Sequence, residues 1–488
     1  MAILTPGKSS GSSAAGFAPS ATATTTAGRT ALSSGSLGVG SIVFMVIAAA
    51  APLTVIAGAL PLGMVSGNGA GYPAMYAICA LILLIFSVGL TTMSRRIREP
   101  GAFFSYVEAA TNRKLGMGTA YLAILTYTAV QFAVYAYLGV QLAHVVALTG
   151  LELPWWLYTL LMVGVVGLLG YRDIELSSKA LGVALIAEIA ITVLIIGGVI
   201  IKGGANGLGL SSFEPSAVMS GTPGVGLMLA LAGFIGFEST TVFRSEAKDP
   251  ETTIPRATYI AILVIGVFYT VSGWAIVEAW GADNVLEAAA ADPEGMVITT
   301  AVNYVGAWAG VVVQVLLLTS LFAAALSFHN VITRYQHAVA LKGCLPAPIA
   351  LIHERHQSPH ISSVVQTVTI AILTLASVVV GLDPVMELFT WFSGLATFTI
   401  VLLMLVVDLA ILYYFRTHPA GKDSAFKRIY APILALIGLG VAAFFITMNL
   451  VSLVGGSVAV AWALGLSAPV VFLGGWLAAH LTKEPELS

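Results

Sequence analysis

Two glutamates, Glu188 and Glu238, lie in stretches of the chain, 185–190 and 232–239, that are otherwise mostly apolar. A carboxylate among apolar side chains can bind a proton or a cation, because its charge is costly to bury alone. Each glutamate also has a plainer interpretation, as a neutral side chain hydrogen-bonded to a neighbouring helix. For Glu238 a third role is open, since an acidic group suits the N-terminus of a half-helix. Both are therefore candidates for ion coupling.

Hydroxyl and aromatic side chains in other apolar stretches are further candidates. Thr319, Ser320 and Ser327 could supply oxygen ligands to a sodium ion, although such hydroxyls more often bond back to their own helix. Tyr127 and Tyr135 could wall a binding site, although most aromatic residues in such a stretch only pack against neighbouring helices.

The composition indicates that these stretches are membrane helices. Of 488 residues, 58% are hydrophobic and 9% charged, which a soluble domain with a hydrated surface cannot accommodate. A helix needs about 20 mostly apolar residues to cross a bilayer, and the runs lack the alternation of barrel strands. We predict an all-α integral membrane protein with twelve transmembrane helices, at approximately 39–64, 73–93, 118–148, 155–171, 180–201, 223–243, 257–280, 302–330, 363–381, 386–414, 431–452 and 458–480.

The basic residues give an independent test of this topology. With the N-terminus in the cytoplasm, all of the 21 Lys and Arg residues except Lys202 fall in inner segments, as short-looped membrane proteins require. A missed helix would invert every later loop. We therefore predict a protein of the cell membrane with both termini in the cytoplasm. Residues 1–37 are rich in Ser, Thr, Ala and Gly, which predicts a disordered cytoplasmic tail.

In this topology Glu246, Asp249 and Arg334 flank the predicted inner mouth. Ion pairs between them could form a gate that closes the cytoplasmic path. The alternative is a solvated surface, on which such pairs contribute under about 1 kcal/mol each.

Residues that weaken helices are concentrated in the first and sixth spans. Pro52 and Pro61 lack amide hydrogens in the first, and Gly233 and Gly236 lie in the middle of the sixth. Prolines and glycines can also simply kink membrane helices or let them pack closely. Spans one and six, however, each open a block of five helices, which is the pattern of an inverted repeat with its site near the bilayer midplane. We predict repeats at 38–201 and 222–416, followed by two further helices at 428–482.

Three groups of residues resemble the amino acid, polyamine and organocation (APC) transporter superfamily. They are Gly236-Phe237-Glu238-Ser239 with the segments 245–250 and 254–257, then 99–107, and Phe328-His329-Asn330 with 334–335 and 343–346. The resemblance implies a LeuT-like five-plus-five inverted repeat with discontinuous helices 1 and 6, two peripheral helices and alternating access. It implies substrate contacts at both breaks, from Ala48, Ala49, Ala50, Ala51, Pro52, Thr54, Gly233, Phe234, Gly236 and Phe237, with Phe234 as a candidate lid.

One departure from the superfamily concerns the first break. A Gly-x-Gly usually stands there, and its free amides hold the carboxylate of an amino acid. Here the corresponding residues are Ala48-Ala49-Ala50, and alanine tolerates unwound geometry less well than glycine.

The leading hypothesis is a secondary active transporter, a proton- or cation-coupled symporter or exchanger of a small organic solute such as an amino acid or related amine. One alternative is a carrier of an inorganic cation such as potassium on the same fold, and another, of a different class, is a channel or membrane sensor. No enzyme motif, cofactor site, metal site or nucleic-acid surface is predicted. The expected partners are the solute, the coupling proton or cation and the lipid bilayer, and the oligomeric state is open.

Overall fold

The computed structural model describes residues 37–97, 102–172, 175–356, 358–418, 423–454 and 456–482. No β-strand occurs in these residues, and a single bridge pairs Leu37 with Ala247. The prediction of an all-α protein is thus confirmed for this part of the chain. The predicted disordered tail, apart from Leu37, lies outside the described residues.

The principal helices are α1 (Val39–Ala50), α2 (Tyr72–Ser94), α3 (Ala102–Ala110), α4 (Arg113–Ala147), α5 (Trp155–Arg172), α6 (Glu175–Lys202), α7 (Pro223–Ala232), α8 (Pro250–Trp280), α9 (Ala307–Leu341), α10 (His360–Val380), α11 (Thr390–Thr417), α12 (Ala431–Leu453) and α13 (Val458–Leu481). Short helical turns fill segment 52–71 between α1 and α2, and a 3-10 helix, Phe237–Glu246, follows α7. Two short helices, Val285–Ala291 and Met296–Tyr304, lie between α8 and α9.

Eleven stretches of the described residues are long and apolar enough to cross a membrane, and the chain is an integral membrane protein. The first stretch, Val39–Ser94, has 56 residues and would measure about 84 Å as one straight helix, against a hydrocarbon core of about 30 Å. Its backbone departs from helical geometry at Gly67 (φ −106°, ψ −112°) and Gly69 (φ 54°). The predicted twelve spans differ from these eleven here, because two predicted spans, 39–64 and 73–93, fall within the first stretch.

Helix α4 lies at the centre of the packing and contacts α5, α9, α11 and α13. A glycine allows its close approach to α13. A Cβ on Gly475 of α13 would lie 2.5 Å from the carbonyl oxygen of Met117, so only glycine fits there without a shift. Small residues at helix contacts are typical of membrane proteins, in which close packing replaces the hydrophobic effect between helices.

Buried side-chain amides connect α4 with α9 and α10. Gln131 Nε2 donates to the carbonyl oxygen of Ala325 (3.0 Å), and Gln366 Nε2 donates to Gln131 Oε1 (2.8 Å). Gln336 Nε2 in turn donates to Gln366 Oε1 (3.1 Å). These hydrogen bonds satisfy polar groups that have no access to water, and they hold the three helices in register.

Candidate functional site

The first helix break lies at Ala51. Helix α1 ends at Ala50, and Ala51 has a left-handed backbone (φ 46°, ψ 70°), the only non-glycine residue with positive φ in the described part of the chain. Left-handed geometry is costly for a residue with a Cβ atom, so the surrounding structure must hold it in place. Pro52 then begins the next helical turn, where its missing amide hydrogen costs nothing.

The amides freed by this break are capped by two of the predicted ion-coupling residues. The amide of Leu53 donates to Glu188 Oε2 (3.4 Å), and the amide of Thr54 donates to Ser320 Oγ (3.3 Å). Both acceptors are buried, Glu188 on α6 and Ser320 on α9. A carboxylate at a half-helix N-terminus stabilises it by hydrogen bonding and by its charge. Side chains of two neighbouring helices therefore stabilise the break.

The second break runs from Gly233 to Gly236. Helix α7 ends at Ala232, and Gly236 has φ 111°, a geometry that favours glycine. The Gly236 amide donates to Glu238 Oε2 (3.1 Å), so Glu238 caps the 3-10 helix that starts at Phe237. Each broken span thus has a buried glutamate at the start of its second half.

Glu238 also connects the second break to α4. The Tyr127 hydroxyl donates a short hydrogen bond to Glu238 Oε1, and both side chains are fully buried. The Tyr127 ring lies beside Tyr335 and Phe328 of α9, with ring centroids 5.5 and 6.3 Å away. Glu238 is therefore bonded directly to α4 and contacts α9 through the Tyr127 ring.

The two breaks lie next to each other. A Cβ on Gly236 would be 3.4 Å from Ala49 Cβ, and one on Gly233 would be 3.0 Å from Val55 Cγ1. Beside them is a cavity of about 50 Å³, lined by Ala49, Ala50, Ala51, Thr54, Val55, Ala59, Leu62, Val130, Val134, Leu229, Ala232, Gly233, Ile235, Ala324, Phe328, Phe389, Thr390 and Ser393. This central cavity has room for a few water molecules, whereas small-molecule sites enclose about 300 Å³ or more.

The central cavity contains part of the predicted substrate site. Its walls include Ala49, Ala50, Ala51, Thr54 and Gly233. The Thr54 hydroxyl is buried and has no hydrogen-bond partner in the described part of the chain. The predicted residues outside its lining are Ala48, Pro52, Tyr127, Tyr135, Phe234, Gly236 and Phe237.

The predicted lid, Phe234, lies against α8. Its ring meets Tyr269 edge-on with centroids 6.0 Å apart. Phe237 meets Phe86 of α2 in the same way at 6.4 Å. Tyr135 is buried, and its carbonyl oxygen accepts a hydrogen bond from Thr159 of α5. These rings thus pack between helices in this conformation.

The other predicted ion and gate residues have mixed placements. The Thr319 hydroxyl donates to the carbonyl oxygen of its own helix at Leu316 (2.8 Å), and Ser327 is absent from the cavity lining. Asp249 precedes α8 and accepts a hydrogen bond from the Thr252 hydroxyl (2.7 Å). The side chain of Glu246 lies outside the described part of the chain, so its ion pair with Arg334 stays a prediction.

Sequence reasoning missed the contribution of α11 and the turn before it. Phe389, Thr390 and Ser393 line the cavity, and the two hydroxyls add polar groups to a mostly apolar wall. The available signal was weak, because hydroxyl residues are common along apolar membrane helices. Their shared orientation becomes visible only when α11 is placed beside the breaks.

A second, more polar cavity of about 300 Å³ lies at the far end of α4. There Gln141 Nε2 donates to Glu294 Oε2 (3.0 Å), and Gln314 Nε2 donates to Gln141 Oε1 (2.9 Å). Burial raises the pKa of Glu294, while the nearby His144 opposes that rise. In the described residues no three His, Cys, Asp or Glu side chains are arranged to hold a metal ion.

A sequence model of a known family matches almost the whole chain. The family is described as amino acid permease, and the match covers residues 41–484. The chain belongs to the amino acid permease family. The resemblance to the APC superfamily is thereby confirmed, and the amino acid permeases are transporters rather than enzymes, as the sequence predicts.

The individual transporters related to this chain are distant in sequence. The low-affinity putrescine importer PlaP of Escherichia coli is 23% identical over 216 residues, which are 42% of this chain and 46% of the importer. An uncharacterized transporter of Mycobacterium tuberculosis is 25% identical over 230 residues, 46% of this chain and 48% of that protein. In these alignments the chain spans about half the length of the curated relatives it matches.

Proposed function

We propose that the chain is a secondary active transporter that moves an amino acid or a related amine across the membrane by alternating access. One observation carries the proposal: two helix breaks lie side by side next to a cavity, each with a buried glutamate at the start of its second half. Broken helices at a common site are the way in which many transporters bind polar cargo without a charged cavity. Membership in the amino acid permease family supports the same conclusion.

The polarity of the breaks favours the amino group of the cargo. Amides at the starts of both second halves are already occupied by Glu188, Ser320 and Glu238. The C-termini of α1 and α7 end beside the cavity, where Ala50 and Ala232 contribute to its wall. The partial negative charge of a helix C-terminus attracts cations. The name of the Escherichia coli relative, an importer of the diamine putrescine, agrees with this preference.

The fold we propose has twelve crossings, with the stretch Val39–Ser94 divided near Gly67. Helices 1–5 and 6–10 then form the two inverted repeats, at 38–201 and 222–416, and the peripheral helices lie at 428–482. Both termini are cytoplasmic in this arrangement, because it places every Lys and Arg except Lys202 on the inner side.

Coupling is proposed to run through Glu188, with a proton or cation as the driving ion. Glu188 meets the first break directly, and so a change in its charge alters the capping of Leu53. Opening the cavity to one side and then to the other is proposed to involve the two breaks, since both contribute to its wall.

An inorganic cation is a second candidate cargo, supported by the size of the cavity. About 50 Å³ admits a dehydrated alkali cation in the present conformation, whereas an organic solute requires the cavity to expand. Hydroxyls of Thr54, Thr390 and Ser393 would be its oxygen ligands.

Counterflow in liposomes tests the function. Purified full-length protein is loaded with unlabelled cargo, and uptake of labelled putrescine, labelled neutral amino acids or rubidium is followed in separate experiments. Saturable exchange of an amine or amino acid supports the proposal, and exchange of rubidium alone supports the cation carrier. Conductance that does not saturate with concentration would indicate a channel. Absence of flux with every cargo would favour the membrane sensor.

A matched pair of variants tests the site. Gly233→Val places bulk beside Val55 and Tyr269 at the cavity wall, where even a Cβ would be 3.0 to 3.2 Å from its neighbours. Gly164→Val adds the same side chain to an exposed face of α5 with open space around it. We expect counterflow to be lost in the first variant and retained in the second. Equal cargo affinity in both would place the substrate elsewhere.

A further inference from the structure

Asp408 is a buried carboxyl group that plays no part in either helix break. It lies on α11, about 27 Å from the first residue of that helix and about 14 Å from the last, and its side chain has no exposed surface. At that depth it is surrounded by the helices of the membrane-spanning part of the protein.

Neither carboxyl oxygen of Asp408 has a hydrogen-bond partner among the described residues. This distinguishes it from Glu188 and Glu238, each of which accepts a hydrogen bond from a freed amide. A charged carboxylate with no partner is among the costliest groups to enclose, and protonation removes that charge. A buried polar group with no partner requires an explanation in terms of function or a bound species.

The helices packed around α11 offer Asp408 no charged partner. Of these, α7 and α12 carry no titratable residue at all. On α3 and α4 the charged residues lie towards the helix ends: Glu108 pairs with Lys342 (3.1 Å), Arg113 donates to the carbonyl oxygens of Ala479 and Thr482, and Lys114 lies over the ring of Trp476.

The remaining titratable groups on these helices are uncharged or at helix ends. On α2 they are Tyr72, Tyr76 and Cys79, and on α3 Tyr106. On α4 they are Tyr121, Tyr127, Tyr135 and Tyr137, with His144 near the helix end, and on α13 His480 is near the helix end. Lys427, Arg428 and Tyr430 lie in the turn before α12. Glu387 lies in the turn before α11, where its Oε2 accepts a hydrogen bond from the Asp383 amide (2.7 Å).

We propose that Asp408 is a proton-binding site, occupied in this conformation and emptied when α11 moves during transport. A metal cation would need several ligands, and in the described residues no three His, Cys, Asp or Glu side chains are arranged to hold one, so the ligand that fits Asp408 is a proton. Release of the proton during transport rests on the proposed transport function, whereas binding of the proton does not.

The geometry of α11 provides the connection to the cargo. Thr390 and Ser393, at one end of the helix, line the central cavity. One turn beyond Asp408, Ile411 lies where α11, α2 and α12 meet, because a Cβ on Gly89 would be 3.4 Å from Ile411 Cγ2 and 2.9 Å from Pro432. A shift of α11 at this contact would admit water to Asp408 from the nearer face of the membrane, and the same shift would change the cavity wall.

Infrared spectroscopy of the full-length protein in liposomes, without any cargo, tests the proton site directly. We expect the wild type to have a C=O stretch of a protonated carboxyl that Asp408→Asn lacks and Asp408→Glu retains at a shifted frequency. Identical spectra of wild type and Asp408→Asn in this region would overturn the proposal. The measurement does not depend on transport, so its result is separate from that of the counterflow experiment.

Thermal unfolding separates this role from a structural one. Asp408→Asn removes no hydrogen bond, so its melting temperature should equal or exceed that of the wild type. The control is Asp423→Asn, which breaks the 2.6 Å ion pair with Arg96 and should not raise the melting temperature. A marked fall for Asp408→Asn would indicate that the carboxyl holds the fold together and would refute the proposal. So would undiminished accumulation of cargo by this variant under a pH gradient.

Discussion

Replacing Glu188 by Gln should uncouple transport from the proton gradient while leaving the first break intact. Gln retains a carbonyl oxygen at the position of Oε2, so it can still accept the hydrogen bond from the Leu53 amide. The variant cannot bind and release a proton. The substitution therefore separates the two roles of Glu188, capping and titration.

The size of the effect follows from the energy in the gradient. One pH unit across the membrane stores about 1.4 kcal per mole of protons, which is a factor of ten in concentration. A transporter that moves one proton with each solute should therefore accumulate its cargo about tenfold in wild-type liposomes. Glu188→Gln should bring the cargo only to equal concentrations on the two sides. Because the cap remains, the free energy of unfolding should change by less than about 1 kcal/mol.

Uptake of labelled cargo is measured in liposomes with a one-unit pH gradient and the membrane potential clamped to zero, and counterflow is measured without a gradient. We expect the variant to retain counterflow and lose accumulation. Tenfold accumulation by Glu188→Gln, with the wild-type pH profile, would refute the coupling role. Loss of counterflow as well would show that the carboxyl group is needed to hold the break.

Three further substitutions and one control variant test the surrounding structure. Tyr127→Phe keeps the ring contacts but removes the hydrogen bond to Glu238, and it should lower the free energy of unfolding by about 1–3 kcal/mol in denaturant or thermal unfolding. Gly475→Ala should lower the free energy of unfolding by about 1–3 kcal/mol, because its Cβ would meet the carbonyl oxygen of Met117. Gly474→Ala is the control: it has open space around it and should change the free energy of unfolding by less than about 1 kcal/mol. Burial raises the pKa of Glu294, so the folded protein binds this proton more tightly than the unfolded chain and loses stability as pH rises through the raised pKa. In Glu294→Gln the melting temperature should therefore vary less as the pH rises above the ordinary pKa of a glutamate.

Each of these predictions has a clear opposing result. Full stability of Tyr127→Phe would mean that the Gly236 amide alone satisfies Glu238. Equal melting temperatures for the alanine variants of Gly474 and Gly475 would contradict the close approach of α13 to α4. A Glu294→Gln variant with the wild-type pH dependence would assign that dependence to another group.

The amino-acid sequence determined much about this protein before any coordinates. The lengths of the apolar runs predicted membrane helices, because in the bilayer core the backbone N–H and C=O groups must form their hydrogen bonds within the helix. Pro52, Gly233 and Gly236 marked the neighbourhoods in which the first and sixth spans leave helical geometry, and Glu188 and Glu238 stood out as carboxylates in apolar stretches. All of these are local signals, carried by residue type and by position along the chain.

Only the tertiary structure decided which groups meet. In the folded protein Glu188 accepts a hydrogen bond from the Leu53 amide, Thr390 lines the cavity, and the ring of Phe234 packs against Tyr269. The tertiary structure also left Asp408 without a partner. The reason is that helices which are apolar all round carry little periodic signal to fix their rotation, so packing of small residues and a few buried hydrogen bonds sets the orientation of each one.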